Sequence, residues 1–124
     1  MKKEQSIKVL RVQPHCIPDV IELGNDLRSL QKAVGGHIEI VGLESGAALL
    51  LNEEGKLLQM EPNRRFGRDI LVGVFYVVGS DSDSGELTSL SDELIQKYKL
   101  LFLLPETITQ DEVQNAMFME LHFE

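Results

Sequence analysis

The chain of 124 residues has a single cysteine, Cys16. An intramolecular disulfide is impossible, and the reducing cytosol is the simplest compartment for such a protein. Long apolar runs are missing as well. After Met1-Lys2-Lys3 the sequence reads Ser6-Ile7-Lys8-Val9-Leu10-Arg11-Val12, which alternates where a signal peptide needs an unbroken apolar segment. Leu100 to Leu104 is far too short to span a bilayer. These absences predict a cytoplasmic protein without a membrane partner.

Basic residues are scarce in the C-terminal third. Residues 1–79 hold ten Lys/Arg against ten Asp/Glu, and residues 80–124 hold two against ten, so the last third carries the whole net charge of −8. A duplex nucleic acid needs a basic face that displaces counterions, so direct duplex binding is not expected. Also missing are a phosphate-binding P-loop, a Rossmann glycine pattern and a serine elbow. No second Cys/His pair follows His15-Cys16 at zinc-ligand spacing. Asp81, Asp83 and Glu86 suggest a calcium loop, but Gly85 is fifth rather than sixth and Asp92 stands where Glu is needed. Neither a metal nor a cofactor is expected.

What is present suits one domain with a real core, since 43% of the residues are hydrophobic. Ile7, Val9 and Val12 alternate with Lys8 and Arg11, which predicts a half-buried strand over 6–13, ended by Pro14. Asp19 to Leu23 reads as a second strand. Asp26 caps a helix over 26–34, with Leu27, Leu30 and Val34 at helical spacing, and Gly35-Gly36 stops it. Strands follow at His37–Val41, Ala47–Leu51 and Lys56–Met60, with Asn52-Glu53-Glu54-Gly55 as a turn. Pro62 to Arg68 is expected to be a loop. Ile70 to Val78 reads as one long central strand. Gly79 to Gly85 is a polar loop. Ser91 caps a helix whose inner face carries Leu94, Ile95, Tyr98, Leu101 and Phe102. Thr109-Gln110-Asp111-Glu112 is a second capping pattern that predicts a short helix over 110–117. An apolar strand then follows, from Met117 to Phe123. The expected fold is α+β: an antiparallel or mixed sheet of about five to six strands, with two main helices on one face. The core should span 1–104, and 105–124 should pack on it or on another subunit.

Five stretches carry a resemblance. They are Gly35-Gly36-His37-Ile38-Glu39-Ile40-Val41; Asn52-Glu53-Glu54-Gly55-Lys56-Leu57; Pro62-Asn63-Arg64; Asp69-Ile70 through Gly73, Phe75 and Val77-Val78-Gly79; and Ser89 to Glu93 with Lys97-Tyr98. Together, over about residues 6–102, they resemble a family of small proteins from bacteriophages, conjugative elements and firmicute-type genomes, catalogued as a domain of unknown function. The resemblance implies a mobile-element origin and a small cytosolic protein. It implies no established activity.

The densest positive charge is Arg64, Arg65 and Arg68, following Asn63. Guanidinium groups bind phosphates through paired donors, so these four residues are the expected ligand-binding set. The favoured reading is an oligomeric mobile-element counter-defence protein that sequesters a small phosphorylated or nucleotide-like ligand without catalysis, since no base–nucleophile–orienter set is visible. A second reading is an acidic inhibitor whose C-terminal third imitates a phosphate backbone and occupies a host protein. A third is a small hydrolase using Glu53 or Glu54 near the arginines, although the same residues read better as a hairpin turn. His15 and Cys16 point to opposite faces if extended, and His37 and His122 read as surface residues.

Overall fold

The computed structural model describes residues 5–122, and for residues 118–122 the backbone alone. In chain order the elements are β1 (Ser6–Val12), β2 (Asp19–Gly24), α1 (Leu27–Val34), β3 (Ile38–Glu44), β4 (Ala47–Asn52), β5 (Pro62–Phe66), β6 (Asp69–Val72), β7 (Phe75–Ser80), β8 (Leu87–Thr88), α2 (Asp92–Leu101) and α3 (Gln110–His122). Six strands form one antiparallel sheet in the order β2-β1-β7-β4-β3, with β8 added to β7. The fold is therefore α+β with an antiparallel sheet, as expected. β5 and β6 form a separate two-stranded sheet.

Both faces of the main sheet are covered, because β1, β4 and β7 carry apolar residues on both sides. Leu10, Val12, Leu49, Phe75 and Val77 point to one face and meet Ile95, Tyr98 and Phe102 of the α2 segment. Val9, Ala48, Leu50, Tyr76 and Val78 point to the other and meet Leu30 and Val34 of α1. The two helices thus take opposite faces rather than sharing one. The two-residue period of β1, β4 and β7 requires this, since each strand sends apolar residues both ways. Phe102 anchors the α2 face, with its ring 5.1 Å from that of Phe75 in edge-to-face geometry. Burying a side chain of this size is worth about 2–3 kcal/mol.

The caps lie where the sequence places them. The Asp26 carboxylate accepts from the Ser29 amide at 2.9 Å, and Gly35 closes α1 at φ 78°. The Ser91 hydroxyl accepts from the Leu94 amide at 3.2 Å.

Four expectations are corrected. The apolar stretch from Ile70 to Val78 is two strands in two sheets, broken at Gly73 with φ 70°. There the Gly73 amide donates to the Glu61 carbonyl at 2.8 Å, and a Cβ would lie 2.9 Å from the Met60 sulfur. Lys56 to Met60 is a series of turns, with amide bonds from Leu58 to Glu54 and from Met60 to Gly55 and Gln59 at φ 53°. The segment from Pro62 is not a loop but the β5–β6 hairpin. The C-terminal apolar run continues α3 through His122 instead of forming a strand. Val113 of α3 and Ile108 before it pack on Ile70 and Val72 of β6.

Candidate functional site

The register of β5 against β6 shifts between Pro62 and Arg64. Such a bulge re-aims side chains that a regular strand would send to opposite faces. Asn63 and Arg64, consecutive residues, are consequently both buried, at 0% and 1% exposure. Asn63 donates through Nδ2 to the carbonyls of Val12, at 3.0 Å, and Gly73, at 2.8 Å. It therefore ties the end of β1 to the break between β6 and β7. Its Oδ1 accepts from Arg64 Nη1 at 2.8 Å.

Arg64 extends this knot. Nε donates to the Phe102 carbonyl at 3.1 Å, and Nη2 donates to the Cys16 carbonyl at 2.6 Å. One guanidinium thus holds the end of α2 and the β1–β2 connection together. Burial pushes the Arg64 guanidinium below its ordinary value, partly offset by the Glu106 carboxylate. Neutral oxygens accept from each of its three nitrogens.

Arg65 is exposed but occupied. Its amide donates to Glu106 at 2.9 Å, and its guanidinium pairs with Glu112 at 2.8 Å and Glu106 at 3.5 Å. Glu112 also accepts from the Thr109 amide, at 2.7 Å, which completes the expected capping box and holds this carboxyl below its usual range. Arg68 sits in the exposed hairpin turn, with no ion pair among the described residues. The four residues expected to form an anion site therefore do not converge. Asn63 and Arg64 face inward, Arg65 is exposed but paired with two carboxylates, and Arg68 is exposed without an ion pair among the described residues.

The remaining sequence candidates resolve as local structure. The Asn52 side chain donates to the Val34 carbonyl at 3.1 Å and accepts from the Glu54 amide at 2.7 Å, which fixes the turn bearing exposed Glu53 and Glu54. Asp81 accepts from the Asp83 amide at 2.9 Å within its own loop. His15, at φ 64°, lies 3.2 Å from Glu61 and leaves Cys16 exposed. His37 is exposed, and the His122 side chain lies outside the described residues. Among the described residues, no three His, Cys, Asp or Glu side chains gather where a metal could bind. No described helix is long and apolar enough to cross a membrane.

Exposed apolar residues flank two of the carbonyls that Arg64 holds. The residues that follow two of its carbonyl acceptors, Cys16 and Phe102, are Ile17, 64% exposed, and Leu103. Beside Leu103, Leu100, Leu101 and Leu104 are 71%, 58% and 76% exposed. The sequence places Leu101 in the core, but the inward stripe of α2 is Ile95, Tyr98 and Phe102. Five successive apolar residues cannot all lie on one stripe of a helix, and that surplus was the available signal. At the other end of the sheet, α2 is tied to β3. Glu44 accepts from Lys97 at 2.6 Å and from the Tyr98 hydroxyl. Burial, followed by the Glu44 contact, pushes the Tyr98 hydroxyl up to about 12.

No curated protein matches this chain, and no solved structure does. A family model described as a domain of unknown function, DUF3846, matches residues 7–103, and the chain belongs to that family. The match ends beside Leu104, so α3 lies beyond it.

Proposed function

We propose that this DUF3846 protein is a binding protein without catalysis, which docks a second protein on the surface formed by Ile17 and Leu100 to Leu104. The carrying observation is the pairing of exposure with rigidity. Four leucines within five residues face solvent, while the intervening Phe102 is 2% exposed and its carbonyl is held by Arg64. Water-exposed leucines on a fixed backbone favour association, because each one covered by a partner contributes about 1.5–3 kcal/mol without the entropy cost of ordering a loop.

The resemblance to mobile-element proteins supplies the setting: an accessory factor in a host cytoplasm that occupies a host protein. Imitation of a phosphate backbone fits this structure less well. Asp92 pairs with Lys8, and Glu106 and Glu112 pair with Arg65, so these acids are not free to present a row of charge. The net charge of −8 serves solubility and long-range attraction to a basic partner.

The test is a Leu100→Asp, Leu104→Asp double variant, purified from producing cells beside the wild-type protein. The variant should retain its circular dichroism and urea midpoint and lose the co-purifying protein. Native mass spectrometry on both samples identifies the occupant. Retention of the partner by the variant would contradict the assignment, as would a wild-type homodimer that the substitutions dissolve.

A further inference from the structure

β3 is the last strand in the order β2-β1-β7-β4-β3, so one edge pairs with β4 and the other meets no strand among the described residues. Ile40 and Val41, at its middle, are 47% and 41% exposed. Consecutive strand residues point to opposite faces. A partner resting on one face of the sheet would cover only one of them, whereas an added strand covers both.

Each face also offers a receptor beside this edge. On the face of Glu39, a cavity of about 390 Å³ has apolar lining residues that include Leu51 and Met117. Its rim carries Glu39, Glu53 and Asp69 against one base, Lys56, which is already bonded to Asp69. On the face of Ile40, a groove of about 310 Å³ is lined by Leu27, Leu30, Ile40 and Leu87, together with Asn25 and Glu86. Side chains of an added strand alternate between these faces. The acid-rimmed cavity suits the aliphatic stem and cationic head of a lysine or arginine, and the groove suits an apolar residue.

We infer that the free edge of β3 takes up an extended segment of a partner protein as a seventh strand, with a basic side chain in the cavity and an apolar neighbour in the groove. Charge selects this occupant over a second copy, whose own β3 edge would bring Glu39 and Glu44 to the same surface. The inference rests on reading the chain as a protein-binding module, but it uses a different surface from the leucines of α2.

The experiment titrates the isotope-labelled full chain with a short alternating lysine–valine peptide and follows its amide resonances. Expected are saturable shifts at Ile38 to Glu44, a tenfold or greater loss of affinity in a Glu39→Lys, Glu53→Lys variant, and loss of binding when alternate peptide amides are N-methylated. Shifts away from β3 would overturn the inference. So would binding indifferent to N-methylation, which marks unspecific charge attraction, or a β3-mediated homodimer. The Leu100→Asp, Leu104→Asp variant should bind the peptide like the wild type. If it does while losing its cellular partner, the two surfaces are separate. If the peptide fails while the partner still depends on the leucines, only the inference about β3 falls.

Discussion

Replacing Arg64 with alanine removes one guanidinium from three close oxygens, the Phe102 carbonyl, the Cys16 carbonyl and Asn63 Oδ1, and from the Asn63 carbonyl at 3.5 Å. The site is 1% exposed, so water does not readily replace the lost donors. A buried acceptor left without a donor costs about 1–3 kcal/mol. Three acceptors at the lower bound give about 3 kcal/mol, a large share of the roughly 5–15 kcal/mol by which domains are stable. Loss of packing adds to the cost, and partial collapse of the site subtracts from it. Arg64→Lys keeps the charge but cannot span these acceptors as a planar fork, so it should destabilise in the same direction by less than Arg64→Ala. Urea unfolding followed by circular dichroism measures both. A change within about 0.5 kcal/mol for Arg64→Ala, the range of surface substitutions, would refute the internal role. Calorimetry with cyclic nucleotides and ADP-ribose derivatives supplies the counter-test. Heat that disappears with Arg64→Ala, in a variant of undiminished stability, would restore the small-anion reading.

Three further outcomes follow from the packing and the ionisable groups. Gly79→Ala should lower the urea midpoint by the equivalent of about 2 kcal/mol or more, because the new Cβ would lie 2.3 Å from the Ser89 carbonyl oxygen, a backbone atom that cannot swing away. Tyr98 is raised in the folded state to about 12, so its contribution is complete below the ordinary tyrosine value of about 10 and is lost as pH climbs from there towards 12. Phenolate absorbance should therefore show Tyr98 ionising last or together with unfolding, and Glu44→Gln should bring that step to lower pH. At the acid end, Asp19 is lowered by its bond to Arg11, Glu44 by Lys97 and Tyr98, and Asp92 by Lys8. Their contribution is present above the ordinary carboxyl value near 4 and is lost as pH falls through the depressed folded values, so the thermal midpoint should decline below about pH 4.

The sheet and caps were legible because they depend on local pattern. Alternation in β1, the Asp26 and Ser91 caps, and the Gly35 stop can each be read within a few residues. The break at Gly73 was not legible, because its cause is tertiary: the glycine meets Met60 and Glu61, which the intervening hairpin brings back to it. The burial of Asn63 and Arg64 was not legible for a related reason. Charge density in a sequence suggests solvent exposure, but the bulge at Asn63 turned two polar side chains inward, where carbonyls from residues 12, 16, 73 and 102 were waiting. Those acceptors come from four separate parts of the chain. Once Phe102 and Tyr98 were fixed as the inward residues of α2, the neighbouring leucines could only face out.

The most direct measurement places a photoreactive amino acid at Leu104 and, in a separate protein, at Leu58, which is 58% exposed on a different turn. After irradiation in producing cells, the account predicts one discrete crosslinked protein from position 104 and none from position 58. Equal crosslinking from both positions, or products from neither, would contradict the claim that the Arg64-held leucines are the docking surface.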